Sequence, residues 1–199
     1  MANNLRVFNT NSEYQSADLV HPAVSYVIET DKVHYEPTTP PTPVFQGKWK
    51  ATYQDSHVES AECDSSSAIV NGEINKTNLV SIEIGDCVTS IGGNAFYGCT
   101  SLANIVFSDS VTSIGDGSFQ NCAFSNLIIP SGVTYIGGYA FNGCRSLNSV
   151  IVNATTPPTL GTNAFYDNSI FRQFYVPSAS VDAYKSAWSQ YASRIQPIP

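Results

Sequence analysis

The sequence predicts a mainly β protein: a short solenoid of stacked coils with an amino-terminal β cap, a carboxyl-terminal capping helix and a small separate segment in front. Three observations predict it. The stretch VTSIGGNAFYGC at residues 88–99 returns as VTSIGDGSFQNC at 111–122 and as VTYIGGYAFNGC at 133–144. Apolar residues recur at the same places in every copy, as stacking of identical units requires. Charged residues make up only 13% of the chain, while Ser, Thr, Asn and Gln are abundant, a surface that suits stacked strands better than solvated helices.

Residues 1–36 come first. Leu5, Val7, Phe8, Tyr14, Val20, Val24, Tyr26, Val27, Ile28, Val33 and Tyr35 are too many apolar residues for a disordered leader. A segment this short rarely sustains a core alone, so it is expected to dock on something else. It reads as an anchor or oligomerisation segment with Phe8, Tyr14, Tyr26, Ile28, Val33 and Tyr35 as its contact residues. A short helix is expected near SEYQSADL, and a hairpin from VSYVI and KVHY joined across residues 29–31. The stretch PTTPPTP then places four prolines in seven positions, and residues 37–46 are a semi-rigid extended linker.

Residues 47–78 form the amino-terminal cap. GKWKATYQDSHVESAECDS alternates around Trp49, Ala51 and Tyr53, which predicts an irregular strand pair over the first coil. Such a cover is needed because a terminal coil exposes apolar surface and strand edges.

Residues 79–170 hold four repeats, beginning at Leu79, Leu102, Phe124 and Leu147 with spacings of 23, 22 and 23 residues. Each opens with a strand pattern, LVSIEI, LANIVF, FSNLII or LNSVIV, and reaches a phenylalanine at Phe96, Phe119, Phe141 or Phe165. This period and opening indicate a leucine-rich-repeat solenoid. Leu79, Ile82, Ile84, Ile91 and Phe96 face inward, each resting on its counterpart one coil away at about 4.8 Å. Residues 171–199 close the stack: Ser180 caps a helix in which Val181, Tyr184, Trp188, Tyr191 and Ile195 share one face, and Pro197 and Pro199 end it.

The net charge of -7 excludes an electrostatic grip on nucleic acid or anionic lipid. No apolar run is long enough to insert into a membrane, and MANNLRVFNTNSEY lacks the basic start and apolar stretch of a secretory signal, so the chain as written is expected neither to span a membrane nor to enter the secretory pathway; Met1 reads as a true start. Cys99, Cys122 and Cys144 occupy one repeat position, where the fourth unit has Asn168, and are expected as a ladder of small buried free thiols beside the phenylalanine ladder. Cys63 and Cys87 are left open between free thiols and a bridge. Neither metal nor cofactor is expected: there is no C-x-x-C pair, and His21, His34 and His57 have no ligand spacing or catalytic partner. Gly115–Asp116–Gly117 is a turn lacking the oxygen-ligand series of a calcium loop.

Binding residues are sought on the outward positions of the opening strands: Glu83, Val106, Ile128 and Ile151. The last three predict an exposed apolar stripe across consecutive coils, beside a polar row of Ser81, Asn104, Asn126 and Ser149. Tyr97 and Tyr166, next to the repeat phenylalanines, are candidates for carbohydrate or protein contact.

The units IGDCVTSIGGNAFYGCTSL, VTSIGDGSFQNC and IPSGVTYIGGYAFNGCRSL resemble the BspA-type leucine-rich repeat family, as does the ending ATTPPTLGTNAFYDNS with FYVPSASVDAYKSAWSQYASRIQPI. The resemblance covers residues 47–199. It implies a role in adhesion and display, and the repeat is no enzyme signature. The stretch VFNTNSEYQSADLVHPAVSYVIETDKVHYEP resembles leaders of virion structural proteins of phages that infect gut Bacteroidota. Together these resemblances imply a non-catalytic display protein, a phage virion component such as a fibre or decoration. In that reading residues 1–36 join virion or surface-assembly proteins, and the solenoid contacts a host surface polymer or protein. The alternative they leave is a bacterial cell-surface adhesin, and a homo-oligomer, for which a trimer is the guess, is compatible with either.

Overall fold

In the computed structural model, the described residues are 26–29, 32–35, 47–168 and 173–199. The helix expected near SEYQSADL, the linker, Phe8 and Tyr14 lie outside them. Strands β1 (Tyr26–Glu29) and β2 (Lys32–Tyr35) form an antiparallel hairpin, with Tyr26 opposite Tyr35 and Ile28 opposite Val33. The expected turn is tighter than residues 29–31, since Glu29 is itself paired, with Lys32. This hairpin belongs to one compact unit, and residues 45–198 form a second.

The second unit starts with its cap. Strands β3 (Trp49–Tyr53) and β4 (Val58–Ala61) pair antiparallel, and β3 also runs antiparallel to the first long repeat strand. Trp49, Ala51 and Tyr53 point into the core, as their alternation requires. The coils then follow as β5 (Ala68–Ile69), β6 (Leu79–Ile84), β7 (Ser90–Ile91), β8 (Asn104–Val106) and β9 (Ser113–Ile114). They continue with β10 (Asn126–Ile129), β11 (Tyr135–Ile136), β12 (Ser149–Val152), β13 (Thr159–Leu160) and β14 (Gln173–Val176). Even- and odd-numbered strands form different sides of the coil, both parallel from coil to coil. The short-strand sheet runs unbroken as β5-β7-β9-β11-β13. It begins inside the stretch expected to be cap alone, so stacking starts one coil earlier than Leu79.

A third side is built from turns. Its amides reach the next coil: Phe96 N–H donates to Ser118 O at 2.7 Å, Phe119 to Ala140 and Phe141 to Ala164, both at 2.8 Å. Each turn contains two left-handed residues, Asn94 and Gly98, Gly117 and Asn121, Tyr139 and Gly143, or Asn163 and Asp167. Asn, Asp and Gly are the residues that tolerate this backbone; Tyr139 is the bulky exception, at φ 56°.

Inside, Phe96, Phe119, Phe141 and Phe165 stack with ring centroids 5.0, 5.3 and 5.2 Å apart and nearly parallel planes. The coils approach closely at the glycine that ends each VTSIG. A Cβ on Gly161 would stand 2.2 Å from the Gly138 backbone nitrogen, which explains why no larger residue occupies that place.

The long-strand side is interrupted. Its two sheets are β4-β3-β6-β8 and β10-β12-β14 with one further strand, and no ladder joins β8 to β10 among the described residues. Two sequence features account for this. Only Ala123 separates Cys122 from Phe124, where Cys99 and Leu102 have two residues between them. Pro130 stands where Asn153 donates its N–H to Ile129 O one coil later, and proline has no N–H to offer Phe107.

The carboxyl-terminal cap differs from the expected single helix. Helix α1 covers only Val181–Ala187, a 3-10 segment follows at Ser189–Arg194, and β15 (Ile195–Pro197) returns parallel to β14. Ile195 and Pro197 are therefore strand residues. Ser180 stands at the N-cap position as expected, but its hydroxyl makes no bond to the helix amides and donates instead to Thr155 O at 2.7 Å. Tyr184 OH donates to Ala154 O at 2.7 Å and Trp188 Nε1 to Pro158 O at 2.9 Å, so the cap is bonded to carbonyls of the last coils. Phe174, Trp188 and Tyr191 close the end of the phenylalanine stack around Phe165.

Candidate functional site

The outward positions of the long strands fall into two separate rows. Glu83 lies beside Val106, and Ile128 beside Ile151, which in turn pairs with Tyr175. The expected stripe through Val106, Ile128 and Ile151 is thus cut at the β8/β10 interruption, and Ile128 and Ile151 are half-buried by their neighbours while Val106 is exposed. In the polar row, Ser149 Oγ donates to Asn126 Oδ1 at 2.7 Å, and Ser81 is in register with Asn104. Of the residues expected in the amino-terminal segment, Tyr26, Ile28, Val33 and Tyr35 lie on the β1–β2 hairpin.

The turn side gathers exposed aromatics. Tyr97 and Tyr166 occupy one repeat position in the first and fourth units; Gln120 and Asn142 hold that position between them. Tyr97 is 48% exposed and Tyr166 63%. Gln120 Nε2 donates to Asn142 Oδ1 at 3.0 Å, and Asn142 Nδ2 donates to Tyr166 O at 3.0 Å, so the amides are linked along the row. Two further tyrosines, overlooked in the sequence reading, flank it. Tyr139 is exposed and its hydroxyl accepts from Asn163 Nδ2 at 3.3 Å. Tyr135 is exposed and donates to Asp116 Oδ1 at 3.4 Å, which also accepts from Gly138 N–H at 2.7 Å. The signal for Tyr139 was in the sequence: it stands where the other units have Asn94, Gly117 and Asn163.

The amino-terminal cap carries the charged groups. A cavity of about 450 Å³ is lined by Tyr53, Gln54, Asp55, His57 and residues 75, 77 and 78. The His57 ring stacks on Tyr53 at 4.1 Å. Its Nδ1 lies 2.5 Å from Asp55 Oδ1 and its Nε2 3.5 Å from Glu59 Oε1. The hydrogen bond to Asp55 raises the His57 pKa above the ordinary imidazole value and holds the Asp55 carboxyl below the usual range. Burial, then the hydrogen bond to Glu59 Oε2 at 2.6 Å, push the Tyr53 phenol up. On the other side of the cap the buried Lys48 Nζ lies 3.0 Å from Glu73 Oε1 and 3.3 Å from Asp64 Oδ2. Burial opposes its charge, but these two carboxylates outweigh burial and leave its pKa raised. Glu73 also accepts from Trp49 Nε1 and Val70 N–H, both at 3.0 Å.

Cys63 and Cys87, left open by the sequence, are joined in a disulfide that ties the cap to the turn after β6. Cys99, Cys122 and Cys144 are buried free thiols. Burial pushes Cys144 up to about 12 and raises Cys122 as well, so both stay protonated and unreactive at neutral pH. No group of three His, Cys, Asp or Glu residues that could hold a metal ion occurs among the described residues. None of the helices there is long and apolar enough to cross a membrane.

Comparison with known proteins agrees with this architecture. No curated protein matches the chain. A leucine-rich cell surface protein from Faecalibacterium prausnitzii is 22% identical, with a TM-score of 0.53, over 70% of this chain and 39% of its own. A leucine-rich repeat protein from Bacteroides ovatus is 23% identical, with a TM-score of 0.41, over 81% and 48%. The pneumococcal vaccine antigen PcpA is 17% identical, with a TM-score of 0.44, over 75% and 46%. The chain therefore spans less than half the length of each of these structures. The first of them supports the fold alone. The profile of the BspA-type leucine-rich repeat region matches residues 67–193 with six copies, two more than the four units read from the sequence and extending past them on both sides. Coils that stack from β5 onward, a phenylalanine ladder at one repeat position and a profile matching most of the chain lead to one assignment: the chain belongs to the BspA-type leucine-rich repeat family.

Proposed function

We propose that this chain is a non-catalytic, adhesin-like contact protein of the bacterial cell surface, with the solenoid as its binding body. The observation that carries the reading is the Cys63–Cys87 disulfide between the cap and the turn after β6, since such bonds form and persist outside the reducing cytoplasm. The cell-surface description of the Faecalibacterium prausnitzii structure supports the same location. The virion assignment implied by the leader has no support from the comparisons, and the adhesin alternative takes its place. Residues 1–36 serve in this reading as the attachment or self-association segment, and a full-chain mass above that of a monomer in light scattering is the expected result.

Labelling intact producing cells with a membrane-impermeant amine reagent tests the location. The chain is expected among the labelled proteins before lysis. Labelling only after lysis would overturn the surface reading, and recovery of the chain in purified phage particles would reinstate the virion.

A further inference from the structure

We infer that the turn side of the solenoid binds an extended, uncharged polysaccharide, with Tyr97 and Tyr166 as its two end platforms and the Gln120–Asn142 amide pair between them. The inference rests on the proposed contact function and names its ligand class. Three features converge on it.

The first is the order of groups along the axis. The row reads aromatic, amide, amide, aromatic over four successive units, with the amides hydrogen-bonded to each other and on to Tyr166 O. Coils about 4.8 Å apart place the tyrosines about 14 Å from each other. One step of the solenoid is close to the length of one sugar unit in an extended chain, so successive sugars meet successive coils. Tyrosine rings offer flat apolar faces to the C–H side of a pyranose. Side-chain amides offer donor and acceptor together, which is what sugar hydroxyls require.

The second is charge. Arg145 and Asp167 on this side pair at 3.4 Å, and Asp116 is engaged by Gly138 N–H and Tyr135 OH. With a net charge of -7 the chain repels polyanions, so an uncharged ligand fits and an acidic one does not. A protein partner fits less well, because the amides separate the aromatics and leave no contiguous apolar patch.

The third is Tyr139. A bulky side chain in the left-handed region stores about 1 kcal/mol or more of strain. Here it is 44% exposed, so burial does little to offset that strain, and Asn163 holds its hydroxyl at 3.3 Å. An exposed ring kept in an unfavourable backbone and steadied by a neighbour is suited to contact.

Affinity electrophoresis of the full chain through gels containing hydroxyethylcellulose, galactomannan or arabinoxylan tests this, with polygalacturonate as the charged comparison. Retardation by at least one neutral polymer and not by polygalacturonate is expected. Tyr97→Ala and Tyr166→Ala should each weaken it about tenfold, the effect of losing one stacking contact. Tyr139→Asn should weaken retardation while leaving the melting temperature equal or higher, which a structural role for the ring would not do. The inference is overturned by the absence of retardation in all three neutral gels, or by unchanged retardation in a folded Tyr97→Ala, Tyr166→Ala double variant. A chain that is labelled on intact cells yet not retarded loses only the polysaccharide assignment; one retarded in gels yet unlabelled on cells loses only the surface location.

Discussion

Asn168 Nδ2 donates to the backbone carbonyl of Phe141 at 3.0 Å, from the repeat position at which Cys144 Sγ donates to Phe119 O at 3.2 Å and Cys122 Sγ to Phe96 O at 3.3 Å. The asparagine that breaks the cysteine pattern in sequence thus keeps its bond in space. What this position demands is a small donor aimed at the phenylalanine carbonyl of the preceding coil, buried for the cysteines and partly buried for Asn168. Replacing Cys144 by Ala removes the donor and opens space beside the phenylalanine stack, and should lower stability by about 1–3 kcal/mol. Cys144→Ser retains a donor and should lose less. Urea unfolding of the three proteins decides it; equal loss for Ala and Ser would show that the hydrogen bond is immaterial.

The cap and the first coil are held by a covalent bond as well as by packing. Cys63 and Cys87 are 24 residues apart, and closing a loop of that size restricts the unfolded chain by about 3 kcal/mol. The Cys63→Ser, Cys87→Ser double variant should unfold at correspondingly lower denaturant. In denaturant without reductant, thiol titration of the unchanged chain should find three reactive groups, Cys99, Cys122 and Cys144, rising to five after reduction. Five groups before reduction would refute the bridge.

Glu73 joins three donors at the seam between cap and solenoid: Lys48 Nζ, Trp49 Nε1 and Val70 N–H. Glu73→Ala leaves a buried ammonium and a buried indole N–H without this acceptor, and should destabilise by about 3 kcal/mol. Lys48→Met should be milder, because Glu73 keeps two donors and the methionine still fills the apolar part of the site. The order of the two melting temperatures is the measurement, and a Lys48→Met variant that melts below Glu73→Ala would contradict it.

The hairpin turn that joins β3 to β4 should respond to pH. The folded pKa of His57 is raised by its hydrogen bond to Asp55, so its contribution is complete below the ordinary imidazole value and is lost as pH rises through the raised one. Asp55 is depressed, so its contribution is present above the ordinary carboxylate value and is lost as pH falls through the lowered one. The turn is tightest in the mildly acidic interval between. Asp55 and Glu59 supply the charge facing His57; the remaining side chains of the cavity, Gln54, Asn75, Thr77 and Asn78 among them, are uncharged. An NMR titration of the His57 ring should show a midpoint above about 6.5, moving down in Asp55→Asn. A midpoint at or below that value in the unchanged chain would remove the effect.

The repeat was legible because stacking imposes a period on the chain. Leu79, Ile82, Ile84, Ile91 and Phe96 could be placed inside from spacing alone, and all five are buried. The alternation of Trp49, Ala51 and Tyr53 gave their inward direction for the same reason, since a strand has period two. The additional coil at β5 was hidden because it lacks the motif that marks the others: with Ile69 in register with Ile91, Val70 stands where the repeat glycine belongs and Ile74 where the phenylalanine does. The helical face from Val181 to Ile195 was overread: the residues do converge on the core, but a 3-10 segment and a returning strand bring them there.

By itself, then, the sequence determined the coil, its inward residues and the phenylalanine and cysteine ladders, because each coil repeats the same local burial problem. Tertiary structure decided what depends on distance between coils that no local pattern records. Cys63 met Cys87 because the cap folds back over the turn after β6. The apolar stripe split because Pro130 could not donate and one residue was missing before Phe124. Tyr97, Gln120, Asn142 and Tyr166 became one surface because stacking laid four distant residues side by side.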